Sequence, residues 1–340
     1  MAIKKVINLM LIVAILVGLL SGCNEIQSRV DKALQQMDFN GSVLIAKDGK
    51  ILLCKGYGLA NFEKKIPNTS STIFRLGSIT KQFTALAILM LEEKGLLSTN
   101  DPISKYIPDY PNGDKILIHH LLTHSSGIPE HTNQILTGYY SVDDLISIFK
   151  NQPAVFSPGT MFGYCNSNYI LLGYIIEKTS GLKYADFVNQ NIFIPLEMKN
   201  SRYGDSPSLP NQAGGYQSMK PVPVPAESFD MSIPFAAGAL SSTVEDLYKW
   251  DQALYTEKLV KKETLQKMFT PYVKIPQMNC DYGYGWFIDK TPTKEVMNHG
   301  GAINGFSALI YRDPGKHLVV ILLSNIEGTN YMLEAGLMVI

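Results

Sequence analysis

Segments patterned as strands lie at both ends of this chain, with a long run patterned as helices between them. No other feature constrains the fold as much, because strands far apart in sequence must meet to pair their backbone groups. Near the start, Ser42 to Ala46, an Asp48-Gly49 turn and Ile51 to Cys54 read as a β-hairpin. Toward the end, Tyr282 to Ile288, Glu295 to Asn298, Phe306 to Tyr311 and His317 to Leu323 read as strands, with Asp313-Pro314-Gly315 as a turn. Phe83 to Leu97 is helical and strongly apolar, which predicts a buried helix. Ile116 to Thr123, Val142 to Lys150, Ser167 to Thr179 and Tyr184 to Ile192 read as further helices, with Gly181 as a left-handed cap and Pro195 as a stop. Ile26 to Gln36 has helical spacing, and a short terminal helix is expected from near Asn330. Pro207 to Pro234 reads as an extended excursion. Thr243-Val244-Glu245-Asp246 resembles a capping box, with Asp at the third helical position. These readings predict an α/β (α+β) fold: one antiparallel sheet from both termini (about 25–80 and 236–340), flanked by helices, with a mostly helical region (about 81–235) inserted.

The chain has 340 residues, 46% of them hydrophobic, enough for a sizeable core. Its 30 basic and 30 acidic residues leave no electrostatic footprint for nucleic acid, so no nucleic-acid partner is expected. Lys4 and Lys5 precede an apolar run from Val6 to Leu20, followed by Ser21-Gly22-Cys23. That is the layout of an export signal over residues 1–22, and the run is shorter than the ~20 residues of a membrane span. Leu20-Ser21-Gly22-Cys23 resembles a bacterial lipobox. The resemblance implies cleavage before Cys23 and lipid on its thiol. A body anchored to the membrane on its extracytoplasmic face would follow. Cys54, Cys165 and Cys280 are too scattered for a disulfide framework or a metal knuckle and read as small buried apolar residues. His120 and His124 have metal-ligand spacing, but no acid follows at a matching position, so no metal or other cofactor is expected. No Gly-x-Ser-x-Gly elbow is present.

Three short motifs carry chemistry. Ser78 and Lys81 are three apart where a loop containing Gly77 runs into the apolar helix, so a hydroxyl and an amine share one face. Such a pair can act as nucleophile and proton acceptor. Taken alone, it also fits an N-cap followed by a solvated lysine. The same spacing recurs at Ser180 and Lys183 without comparable partners. Tyr164-Cys165-Asn166 precedes a helix; Tyr164 offers a phenol for proton transfer and Asn166 an amide for orientation. His299-Gly300-Gly301-Ala302 ends a strand. There the glycines let a substrate backbone approach, His299 adds a polar group, and the Ala302 N–H can join that of Ser78 in an oxyanion hole.

In this order and setting, the three motifs resemble those of the serine penicillin-recognising family. That family comprises class C β-lactamases, low-molecular-weight penicillin-binding proteins, D-alanyl-D-alanine carboxypeptidases and related esterases. Leu121-Leu122-Thr123-His124-Ser125-Ser126-Gly127 and Gly238-Ala239-Leu240-Ser241-Ser242-Thr243 add to the resemblance, which runs from about Gly41 to Asn325. It implies a β-lactamase/transpeptidase-like fold with the site between the sheet and the helical region. It also implies an acyl-enzyme on Ser78, with Lys81 taking or relaying the proton, Tyr164 as acid/base and Asn166 orienting the substrate. His299 stands where class C β-lactamases have lysine, and a mostly neutral imidazole grips a substrate carboxylate less firmly. The expected partner is a small-molecule or peptide substrate: a cell-wall peptide, an ester or a β-lactam.

Overall fold

The two ends of the chain meet inside one sheet. The computed structural model describes residues 28–328 apart from 29, 33, 37, 134, 206–210, 219–222 and 292–293. Residues 1–22, Cys23 and the helix expected near Asn330 lie outside the described residues. β1 (Gly41–Lys47) pairs with β2 (Lys50–Tyr57) on one side and with β8 (Leu318–Ser324) on the other, from Gly41↔Ser324 to Lys47↔Leu318. The remaining strands of this sheet are β3 (Val273–Ile275), β4 (Cys280–Tyr282), β5 (Phe287–Thr291), β6 (Lys294–Ile303) and β7 (Phe306–Asp313). The antiparallel order is β3-β4-β5-β6-β7-β8-β1-β2.

Period-2 alternation puts the side chains of the central strands β1, β7 and β8 on two covered faces. Val43 and Ile45 of β1, with Val320 and Leu322 of β8, join a cluster that includes Val30 and Leu34, both helical and upstream of β1. Leu44 and Ala46, with Val319, Ile321 and Leu323, face the larger core. That core contains α1 (Thr80–Glu93), buried continuously from Thr80 to Leu91. Around it lie α2 (Ile118–Leu122), α3 (Val142–Phe149), α4 (Asn166–Ser180), α5 (Tyr184–Val188), α6 (Phe235–Gly238), α7 (Val244–Ala253) and α8 (Lys262–Met268). Gly181 closes α4 at φ 73°. The Thr243 hydroxyl caps α7 by accepting from the Asp246 N–H, while the Asp246 carboxylate turns away to Asn200, Ser201 and Lys249.

Three expectations need correction. Tyr282 to Ile288 is not one strand but β4 and β5, because Gly283–Trp286 leaves the ladder: Gly285 has φ +77° and lies against the Lys81 backbone. β3, flanked by Pro271 and Pro276, was absent from the pattern. Of the three described cysteines, which are all free, Cys165 is buried while Cys54 and Cys280 are half-buried.

Candidate active site

Ser78 lies in a single 3-10 turn, Gly77–Ile79, that runs straight into α1. It caps nothing: the residue before α1 is Ile79, and no side chain there accepts a helix N–H. Side chains three apart eclipse in a 3-10 turn, so Ser78 and Lys81 come together. Two glycines set the turn against β6. Gly77 has φ +52°, and a Cβ on it would stand 2.9 Å from both N and O of Ala302. A Cβ on Gly301 would stand 1.9 Å from the Leu76 carbonyl oxygen, a contact that cannot exist. β5 pairs with β6 from Thr291↔Lys294 to Phe287↔Asn298, so β5 leaves β6 unpaired on that side beyond Asn298. Ser78 and Ala302 there line one cleft of about 350 Å³, with Gly77, Asn166, Ile303 and Asn304 among its walls.

Lys81 is fully buried. Its Nζ lies 2.9 Å from Ser78 Oγ, 2.8 Å from Asn166 Oδ1 and 3.0 Å from the Ala237 carbonyl oxygen in α6. Burial draws its pKa down to about 7, against the negative charge of Glu130, which raises it. Two of its three partners are carbonyl-type oxygens that can only accept, and the third is a hydroxyl that can donate or accept. A neutral amine therefore spends both N–H groups on Asn166 and Ala237, which leaves its lone pair facing the Ser78 hydroxyl. In this arrangement Lys81 can take a proton from Ser78 without any group being reoriented.

Tyr164 closes the other side. Lys81 Nζ is 4.9 Å from its ring centroid, and its ring lies 4.3 Å from that of His124. The loop is held by the Cys165 N–H, which donates to His124 Nδ1 at 3.1 Å. Although 38% of Tyr164 is exposed, desolvation of its hydroxyl raises its pKa above the usual phenol range. A hydrogen bond to Ser78 pulls the other way, and the negative charge of Glu130 pushes up with the burial. Near neutral pH Lys81 is thus the group ready to take a proton, and Tyr164 the group with one to give.

His299 is built into the wall. It is buried, its Nδ1 is 2.6 Å from the Gly300 carbonyl and its Nε2 is 3.0 Å from the Tyr282 hydroxyl. A carbonyl only accepts, so Nδ1 carries the proton and Nε2 accepts from Tyr282. Burial and the nearby Lys81 lower its pKa to about 3, against the Gly300 hydrogen bond. Both ring nitrogens of His299 are therefore engaged within the protein. Gly300 is exposed, Gly301 lies under the Ser78 turn, and Ala302 reaches the cleft. The second Ser-x-x-Lys stays apart: Ser180 Oγ donates to the Ile176 carbonyl, and Lys183 is 77% exposed beside Glu177.

Glu130 was not anticipated. Its Oε2 accepts from the Asn166 backbone N–H at 2.6 Å and from Asn166 Nδ2 at 3.2 Å. Its Oε1 accepts from the Thr132 N–H and lies 3.1 Å from His131 Nδ1. Burial alone would raise its pKa, but these hydrogen bonds outweigh it and hold it at about 2. Glu130 is adjacent to His131 but 36 residues from Asn166, a separation that carries no sequence signal. A wider cavity, about 1260 Å³, lies elsewhere, among Leu254, Phe269, Lys290, Met297 and Arg312. The nucleophile and its partners are absent from its walls.

An antiparallel sheet beside an all-buried helix, with a serine, a lysine and a tyrosine converging at the helix start, defines a β-lactamase-like serine hydrolase. The chain belongs to the beta-lactamase family, whose model matches residues 27–337. It is 36% identical over 300 residues to a putative penicillin-binding protein, PbpX, of Bacillus subtilis, covering 88% of this chain and 74% of that one. It is 31% identical over 314 residues to penicillin-binding protein 4* of the same organism, covering 86% of this chain and 69% of the relative. Among solved structures, a penicillin binding protein from Bacillus halodurans matches with TM-score 0.81 and 29% identity, over 91% of this chain and 98% of that chain. D-amino acid amidase from Ochrobactrum anthropi SV3, complexed with L-phenylalanine amide, matches with TM-score 0.81 and 25% identity, over 93% and 97%.

Proposed function

We propose that this protein is a serine acyl-hydrolase whose acyl donor is an amide or ester with no carboxylate beside the reacting carbonyl. The observation that carries the reading is the Lys81 amine, 2.9 Å from Ser78 Oγ and drawn to about 7. The Ser78 proton passes to Lys81 as Oγ bonds to the substrate carbonyl carbon, and the oxyanion faces the N–H groups of Ser78 and Ala302. Collapse breaks the bond to the leaving amine or alcohol, which takes a proton from Tyr164, and Lys81 returns its proton to Tyr164. Water then cleaves the acyl-enzyme with the same groups in reverse roles.

Two features support the substrate class. His299 makes no grip for an anion, and no lysine or arginine lines the described cleft. The nearby Arg75 is ion-paired with Asp205 and reaches the Asn304 carbonyl. The D-amino acid amidase from Ochrobactrum anthropi SV3 was solved with L-phenylalanine amide, an amide that carries no carboxylate. D-alanyl-D-alanine peptides and β-lactams carry a carboxylate, for which this cleft offers the His131 imidazole but no lysine or arginine, so carboxypeptidase or class C β-lactamase activity has less support. The test compares p-nitrophenyl esters, amino-acid amides, a D-Ala-D-Ala peptide and a cephalosporin on wild type and Ser78→Ala. Esters and amides should turn over best, and Ser78→Ala should lose about 10³-fold or more. Equal rates for the two proteins would refute the hydrolase reading, and a preference for the D-Ala-D-Ala peptide would refute the substrate class. A fluorescent penicillin retained indefinitely, without ester turnover, would indicate a sensor instead.

We also propose that the protein is held at the extracytoplasmic face of the membrane by lipid on Cys23, on the strength of the Leu20-Ser21-Gly22-Cys23 sequence. Cys23→Ser should shift it to the soluble fraction, and undiminished membrane attachment would contradict the anchor. No described helix is long and apolar enough to cross a membrane.

A further inference from the structure

We infer that Glu130 is a positioning residue that fixes the Asn166 amide and thereby aims the Lys81 lone pair at Ser78. The inference rests on the acyl-hydrolase reading above. Asn166 can present either its oxygen or its NH₂ to Lys81. A carboxylate only accepts, so Glu130 Oε2, bonded to both Asn166 N and Nδ2, requires the NH₂ to face it. Oδ1 is then left for Lys81 Nζ at 2.8 Å. With the amide reversed, two donors would face each other, and the lone pair of Lys81 would be drawn from Ser78 toward Asn166. Glu130 also supplies what α4 lacks: Cys165 precedes the helix without a side-chain cap, and the Glu130 carboxylate accepts the first helical N–H from another segment.

The carboxylate acts on Lys81 at a distance as well. Asn166 stands between them, so Glu130 raises the proton affinity of the amine without closing on it as a salt bridge. The other groups facing Lys81 are the rings of Tyr164 and Tyr169 at 4.9 and 5.5 Å, with Cys165, His124 and His299 close enough to interact electrostatically. Those facing Glu130 are His131, Thr132, Asn166, Tyr164 and Cys165. Among the described groups, Glu130 is the carboxylate this cluster contains.

The test is kcat/KM against pH for wild type, Glu130→Gln and Glu130→Asp on one p-nitrophenyl ester, with thermal melting alongside. Glu130→Gln should lower kcat/KM at its optimum by about 10- to 100-fold through misalignment. Its acid limb should also move to lower pH by about one unit, because removing the negative charge weakens proton binding by Lys81. Glu130→Asp should move the limb in the same direction by less and recover part of the rate. A lower melting temperature with the acid limb unmoved would make Glu130 a helix cap alone and overturn the inference, as would wild-type kinetics. If Glu130→Gln does not fold, an unmoved limb in Glu130→Asp overturns it equally. Ser78→Ala run beside them separates this failure from failure of the hydrolase reading, which alone predicts that variant to be inactive.

Discussion

Two buried cations, each with a carboxylate nearby, are put to opposite uses in this molecule. Arg312 on β7 is 2% exposed and donates through Nε directly to Asp251 Oδ1 of α7 at 2.9 Å. Tyr255 and Phe269 lie 4.6 and 5.0 Å from its guanidinium carbon. Burial pushes the Asp251 carboxyl up and Arg312 pulls it back. A guanidinium keeps its proton, so the pair is a fixed charge couple that ties α7 to the sheet. Lys81 is buried as deeply, yet the Asn166 amide stands between it and Glu130. Direct contact locks a charge in place, whereas an interposed amide leaves the amine near the midpoint of its titration, where it can accept a proton from Ser78.

The largest expected effect tests that contrast at the reactive end. Lys81→Met keeps the apolar stem and removes the base, so ester turnover should fall by at least ~10³-fold; near-normal turnover would transfer the proton-accepting role to another group. The next effect falls on the inert pair. Arg312→Met leaves a buried, unpaired Asp251 and should destabilise the fold by about 3–5 kcal/mol in urea titrations, while the acid limb of its kcat/KM profile stays where wild type has it. A displaced limb would mean the two sites communicate. A third effect, comparable in size, is the most diagnostic. The folded pKa of Lys81, about 7, lies below the ordinary 10.5. The unfolded chain therefore holds this proton more tightly between those values, and burying the amine costs stability in full below pH 7. The cost is on the order of 5 kcal/mol. It fades as pH rises toward 10.5. Lys81→Met should thus melt higher than wild type at pH 6, with a gain that shrinks at pH 9. A gain that grows with pH would contradict the depressed pKa.

Much of this was readable in the residues because local chemistry and local geometry agreed. Ser78 and Lys81 needed only the start of an apolar helix to bring them together, and Tyr164-Cys165-Asn166 only the start of another. The Gly300-Gly301 pair predicts room for a substrate backbone, whereas at Gly301 the space is taken by the chain's own Leu76 carbonyl. The hairpin of β1 and β2 followed from alternation around Asp48-Gly49. What stayed hidden depended on contacts across the fold. The role of Glu130 is set by Asn166, and the silence of His299 by Tyr282 and its own neighbour's carbonyl. The break between β4 and β5 depends on Gly285 lying against the Lys81 backbone, which alternation of side chains does not encode.

The acid limb of kcat/KM for an uncharged ester, measured on the wild-type protein from pH 5 to 9 or so, bears most directly on the state of Lys81. A single ionisation near 7, with activity rising as the proton leaves, is the predicted result. A rate already flat from the acid end, or one that climbs only near the ordinary lysine range around 10, would mean that the buried amine does not receive the serine's proton.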